Sequence, residues 1–188
     1  MVKFMKNDEK LKEKQINSTL LYKGKIIDVY KDDVICPNGH QSVRELIRHC
    51  KASCILAITK EGRILVERQY RYPYDEVLYE FPAGKCDKGE DPKDTAIREL
   101  EEETGYKANK ITYLGKMYPT CAYTDEVIYL YLAEDLIKTA QHLDENEALN
   151  IFEMSFEEFD NLIKNDEVFD AKTLCAYQFF LQKFNKTL

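Results

Sequence analysis

The stretch from Phe81 to Tyr106, FPAGKCDKGEDPKDTAIRELEEETGY, limits what this chain can fold into more than any other. Asp91 can cap a helix, Pro92 fits a first turn and Gly105 supplies a stop, so the spacing predicts a helix between them. At about 100° per residue, Glu99, Glu102 and Glu103 fall within a sector of roughly 100°. Ala96, Ile97, Leu100 and Thr104 occupy the neighbouring sector and are expected to face a core, while Glu101 points away from both. An acid-rich helix face can simply be solvated. Three acids within one turn nevertheless repel one another, and a Mg²⁺ or Mn²⁺ ion would offset that repulsion. The Gly84 turn is expected to fold back just before the helix, where its backbone carbonyls could complete the shell.

Gly84, Glu90, Arg98, Glu99, Leu100, Glu102, Glu103, Gly105 and Tyr106 stand at the spacing Gly-x5-Glu-x7-Arg-Glu-U-x-Glu-Glu-x-Gly-U, where U is a bulky aliphatic residue. The segment therefore resembles the Nudix box, departing only at Tyr106, which is aromatic at an apolar position. That resemblance implies an α/β fold, an α/β/α sandwich with a mixed sheet. It also implies hydrolysis of a nucleoside diphosphate linked to another moiety, with Mg²⁺ bound by the box helix and Mn²⁺ as a substitute. Gly84, Glu90, Arg98 and Gly105 read as structural members of the motif, with the Arg98 guanidinium expected to pin Glu90 or a helix acid.

Composition frames this core. A chain of 188 residues can bury one substantial core, and a net charge of -7 without a long basic run argues against a nucleic-acid partner. It leaves room for a small phosphorylated substrate, because bound cations invert the local field. The opening MVKFMKNDEKLKEKQ is charged, with no apolar segment behind it and no membrane-length run elsewhere, so a cytoplasmic protein without a signal peptide is expected. The six cysteines are scattered without a CxxC and read as reduced thiols.

In chain order, STLLYKG, KIIDVYKDDVIC and SVRELIRH predict three antiparallel strands, the last two joined at Pro37-Asn38-Gly39. So small a sheet needs something to lie on, so residues 1–48 form an N-terminal strand region and residues 49–188 the main domain. ASCILAITK and RILVERQYR are expected to form a second hairpin about Glu61-Gly62, with central, two-sided burial. VLYEFPAG then leads to the box, and ITYLGKMYPT, EVIYLYLAEDL and NIFEMS supply further strands. Ser155 with Glu158 forms a capping box for a helix to about Lys164. A last helix, from about Ala171 to Phe184, presents Leu174, Phe179 and Leu181. These two helices are expected on one sheet face and the box helix on the other.

PNGHQSVRELIRH, ILVERQYRYP, LYEFPAGK, YPTCAYTDE, LDENEALN and DEVFDAKTLCAYQFF are similar to segments of the ADP-ribose pyrophosphatase branch of the family. The resemblance implies a homodimer built through the N-terminal strands, and hydrolysis of ADP-ribose to AMP and ribose 5-phosphate. It carries over Arg44, Glu45 and Arg71 as substrate-binding positions and Ala83 as a backbone-carbonyl metal ligand. Glu99 and Glu103 are implied as carboxylate ligands, Glu102 as a ligand or catalytic bridge, Glu147 as a metal contact and Glu145 as the group that activates water. The Ser-Pro-Gly usual downstream of the box in this branch is here Thr120-Cys121-Ala122. A pyrophosphatase for another nucleotide sugar or a dinucleotide, and a non-catalytic nucleotide-binding protein, stand as alternatives.

Overall fold

The computed structural model describes residues 8–184, so the first seven residues of the charged leading segment and the last four of the chain lie outside it. Two compact units are present, one of residues up to His49 together with Thr120–Glu126, the other of Cys50–Pro119 and the chain from Val127 onward.

In the first unit β1 (Lys14–Lys23), β2 (Asp28–Ile35) and β3 (Gln41–Arg48) form an antiparallel meander. The turn between β2 and β3 is closed by Gly39 N–H donating to the Cys36 carbonyl, with Gly39 at a φ of 86° that favours glycine. β1 is exposed along its whole length, including the apolar Ile16, Leu20, Leu21 and Tyr22. Thr120–Glu126 joins this unit through a bridge from Thr124 to Ile47 and a bond from His49 N–H to Asp125.

The second unit holds two sheets. One has the order β7-β4-β9-β8, from β4 (Ala52–Ala57), β7 (Ala83–Lys85), β8 (Tyr106–Met117) and β9 (Ile128–Lys138). The other is β10-β5-β6, from β5 (Ile64–Arg71), β6 (Glu76–Glu80) and β10 (Leu149–Met154). β4 and β9 run parallel and the remaining pairs antiparallel, so the sheet is mixed as expected. Strand alternation divides the interior in two. Cys54, Leu56, Ile64, Val66, Leu130 and Leu132 point into one core, closed by α2 (Phe156–Lys164) and α3 (Ala171–Lys183). Ile55, Ala57, Leu65, Tyr131 and Ala133 point into the other, closed by Ala96 and Leu100 of α1 (Pro92–Thr104). Each fully buried Ile or Leu contributes roughly 1.5–3 kcal/mol relative to exposure, so β4, buried at all six positions, anchors both layers.

Three expectations are corrected. β4 and β5 are joined by the turn at Gly62 but, among the described residues, do not pair as a ladder: an isolated Ile58–Ile64 bridge and a bond from Thr59 N–H to the Arg63 carbonyl close the turn. A strand has two hydrogen-bonding edges; those of β4 go to β7 and β9, and those of β5 to β6 and β10. On α3 the core residues are Ala176, Tyr177, Phe180 and Leu181, while Phe179 is exposed with its ring lying over Gly115. On α1 Ile97 is outside the core and lines an open cleft of about 650 Å³ with Asp94, Glu101, Glu102, Lys107 and His142. No described helix is long and apolar enough to cross a membrane.

Candidate active site

The helix that carries the acids is fixed at both ends by the residues the spacing named. The Asp91 side chain accepts from Lys93 N–H at 2.8 Å, and Gly105 closes the helix in the left-handed region, its N–H donating to the Glu101 carbonyl. Ser53 Oγ donates to the Pro92 carbonyl at 2.6 Å, seating the first turn on β4. Thr173 Oγ1 of α3 accepts from Phe81 N–H at 2.8 Å and holds the entry to β7. Ala83 and Gly84 lie on that short strand, paired with β4, rather than in a loop.

Gly84 is required for space. A Cβ there would stand 1.9 Å from the Glu99 carboxyl carbon, so only a residue without a side chain lets that carboxylate lie against β7.

The box acids divide into two groups. On the outer edge Arg98 Nη1 donates to Glu99 at 2.8 Å and to Glu102 at 2.9 Å, and Nε and Nη2 reach Glu90 at 3.0 and 2.9 Å. The bonds from Arg98 hold the Glu90 carboxyl down at about 2, while the same web keeps the guanidinium above its ordinary range. Glu99 is pushed up to about 7, chiefly by burial, although Arg98 works against the shift.

Glu103 turns inward. It is 2% exposed, accepts from Ala83 N–H at 2.9 Å, and its carboxyl is raised well above the usual range by burial and then by Glu67, Glu99 and Glu147. Glu67 on β5 is fully buried, and burial followed by the nearby Glu80 and Glu147 carries it up to about 8 against the pull of Lys172 and Arg71. Among the described residues neither Glu67 oxygen has a hydrogen-bond partner. This residue was not singled out from the sequence. Its signal was an acid directly following the apolar run ILV, in the half of β5 that is buried at every position.

The remaining candidates are placed as follows. Glu147 accepts from Gln69 Nε2 at 3.5 Å and acts on Glu67, Glu99 and Glu103 alike. Glu145 is exposed on the same turn, closed by Glu147 N–H on the Asp144 carbonyl, and is not among the main influences on those acids. Arg71 grips Glu80 through Nε and Nη2, both at 2.6 Å, and Lys172 pairs with the same carboxylate and with Asp170. Burial works to raise Glu80, but the bonds from Arg71 and Lys172 prevail and hold it low. Arg44 and Glu45 stand on β3 in the first unit, Arg44 bonded to Glu13 through Nε at 2.9 Å and Glu45 exposed opposite Lys31.

The second unit thus brings Glu67, Glu99, Glu103 and Glu147 into one electrostatically linked set of oxygen donors. Among the described residues no three acid, His or Cys side chains converge closely enough to hold an ion as they stand. Arg98 draws Glu99 and Glu102 outward, and unscreened carboxylates repel. An all-oxygen donor set, partly buried and short of counter-charge, fits a hard divalent cation such as Mg²⁺.

The sequence profile described as the NUDIX domain matches residues 48–177. The chain belongs to the Nudix family. An ADP-ribose pyrophosphatase of Bacillus subtilis (strain 168) is 42% identical to this Nudix protein over 175 residues, covering 92% of this chain and 95% of the relative. A methanol dehydrogenase activator of Bacillus methanolicus is 41% identical over 169 residues, covering 89% and 91%. A crystal structure of an ADP compounds hydrolase superposes with a TM-score of 0.83 at 24% identity, over 94% of this chain and 97% of that one, which establishes the fold. The chain is thus a Nudix hydrolase, a pyrophosphohydrolase of a nucleotide or nucleotide-sugar substrate, closely related to ADP-ribose pyrophosphatases.

Proposed function

We propose that this Nudix hydrolase cleaves the diphosphate of ADP-ribose to AMP and ribose 5-phosphate in the presence of Mg²⁺, with Mn²⁺ able to replace it. The observation that carries the reading is Glu103, buried and bonded to Ala83 N–H, beside Glu99, whose carboxylate lies where Gly84 of the same strand leaves room for it. The 42% identity to an ADP-ribose pyrophosphatase over nearly the whole of both chains supports the substrate.

In this reading Glu99, Glu102, Glu103, Glu147 and the Ala83 carbonyl hold the cation. Bound there, it supplies neutralisation of the diphosphate oxygens and acidification of a water. Ala83 N–H fixes the Glu103 carboxylate, and Arg98 keeps Glu99 and Glu102 on the outer edge with Glu90 as its anchor. Glu145, exposed on its turn, accepts the proton of the attacking water when the closed complex brings it within about 3 Å. Arg71 spends Nε and Nη2 on Glu80, which orients the guanidinium and leaves Nη1 to the substrate. Arg44 and Glu45 bind the nucleotide portion. The working protein is a cytoplasmic homodimer in which a second copy covers the apolar side chains that β1 exposes; light scattering that finds a fully active monomer at assay concentration rejects that assembly.

The deciding experiment incubates the protein and Mg²⁺ with ADP-ribose, other nucleotide sugars, dinucleotides and nucleoside triphosphates, and identifies products by chromatography. ADP-ribose is expected to be turned over with the highest kcat/KM. A different nucleotide sugar preferred by about a hundredfold, roughly 2.7 kcal/mol of transition-state discrimination, overturns the substrate. It would favour the second reading, another nucleotide-sugar or dinucleotide pyrophosphatase, for which the observation is Thr120-Cys121-Ala122 in place of Ser-Pro-Gly.

A further inference from the structure

β5 carries Leu65, Glu67 and Gln69 on one face. Leu65 packs in the core beneath α1 with Ala96 and Leu100, and Gln69 holds Glu147. Glu67 therefore stands between the support of the box helix and the loop acid that reaches toward it. Its cross-strand neighbours are Glu80 and Ile151. Glu80 is already satisfied by Arg71 and Lys172, and the ion pairs of Lys172 go to Glu80 and Asp170, so the cations nearest to Glu67 are committed elsewhere. What remains is a wholly buried carboxyl with two oxygens that bond to nothing among the described residues. Leaving such a group without a partner is costly, and a valine of similar width would fill the strand position without that cost.

We propose that Glu67 is an additional oxygen ligand of the divalent cation at the box helix, entering from the sheet on the side of Glu103 and Glu147. The inference rests on the cation site proposed above and adds to it a donor outside the box. A carboxylate from β5 adds negative charge and a rigid attachment, since Glu67 is carried by a central strand rather than by the 139–148 loop.

The test is Mn²⁺ binding to the full-length protein without substrate, followed by the electron paramagnetic resonance signal of free Mn²⁺ and by calorimetry. Wild type, Glu67→Gln and Glu103→Gln are compared, with metal-free melting curves recorded for each. Glu67→Gln is expected to weaken Mn²⁺ at least tenfold, or to remove one class of bound ion, while melting as a folded protein. Glu67→Val, which removes both oxygens and retains bulk, is expected to behave alike and serves if the amide variant is misfolded. Wild-type affinity and stoichiometry in a folded Glu67 variant, with binding lost in Glu103→Gln, overturns the role of Glu67 and leaves the box site standing. Wild-type binding in both variants overturns both.

Discussion

On the outer edge of α1, Glu99 and Glu102 share the guanidinium of Arg98 with Glu90 from the turn before the helix, and every one of them has a hydrogen-bonded positive partner within the chain. On its inner side, Glu103 has the single Ala83 N–H, and Glu67 across from it has no bond among the described residues. The residue type is the same, and Glu99, Glu102 and Glu103 share one helix. The contrast separates two uses of a carboxylate. Where the protein provides the counter-charge, the acid is held in place before any ion arrives; where it withholds one from a buried acid, the fold carries a cost that an added cation can relieve.

The sharpest break of this comparison is Glu103→Gln. Turnover is expected to fall at least about a hundredfold, a loss of roughly 3 kcal/mol in charge stabilisation, with the metal-free melting temperature kept or raised. An inactive variant that has lost its melting transition would mean that Glu103 holds the fold and not the ion. Gly84→Ala comes next. The added methyl has no room beside Glu99, so that carboxylate must shift by about an ångström and activity is expected to drop on the order of ten- to a hundredfold.

Glu67 and Glu90 also titrate in opposite senses. Glu67 keeps its proton in the fold up to about 8, against an ordinary value of 4.5, so the unfolded chain releases that proton first as the pH rises. Metal-free protein should therefore lose stability between about pH 4.5 and 8, and Glu67→Gln should lack that loss. The variant is expected to be more stable than wild type near pH 8, with the gap closing toward acid pH, in chelator-containing urea titrations. Glu90, held down to about 2 by Arg98, contributes stability that is present above its ordinary 4.5 and is lost as the pH falls through 2. Glu90→Gln should cost about 1 kcal/mol at neutral pH and nothing below about pH 2, the mirror image of the inner pair. Smallest is Glu101→Gln. Its partner is the exposed Lys107 at 3.4 Å, so a few tenths of a kcal/mol and less than about a twofold change in rate are expected. A large loss there would erase the distinction between edges.

What could be read from the sequence was what short-range geometry decides. The ends of α1 follow from Asp91 and Gly105, and α2 starts at Ser155 with both bonds of its capping box present, because a cap is a contact between neighbours in the chain. The placement of helices on opposite faces also followed, since alternation along β4 and β9 leaves each face apolar. Strand partners were less legible. A turn at Gly62 announces that the chain reverses, but which edges remain free for pairing depends on β7, β9 and β10, which arrive later. Thr120–Glu126 gave no sign that it groups with the N-terminal strands, because the contacts that tie it there, a bridge to Ile47 and side-chain contacts of Asp125 and Glu126 with His49, join residues far apart in the chain. Phe179 and Phe180 differ by one residue and Ile97 sits at the margin of its stripe, so a small rotation of each helix decides which side chain enters the core. Glu67 was hidden by its company, an acid whose neighbours read as ordinary core.

The parallel pairing of β4 with β9, Ala52 beside Ile128 through Ala57 beside Ala133, has a consequence for how the chain is made. During synthesis β7 and the box helix follow β4 from the ribosome early, while β9 emerges only after β8 has been translated. Until then the six buried residues of β4 have one edge open and lack the neighbour that completes both cores, and closing so long a loop is slow compared with forming a helix. The nascent chain passes through an interval in which its most buried strand is its most exposed edge, and it is in that interval, rather than in the finished enzyme, that aggregation and chaperone capture have their opportunity.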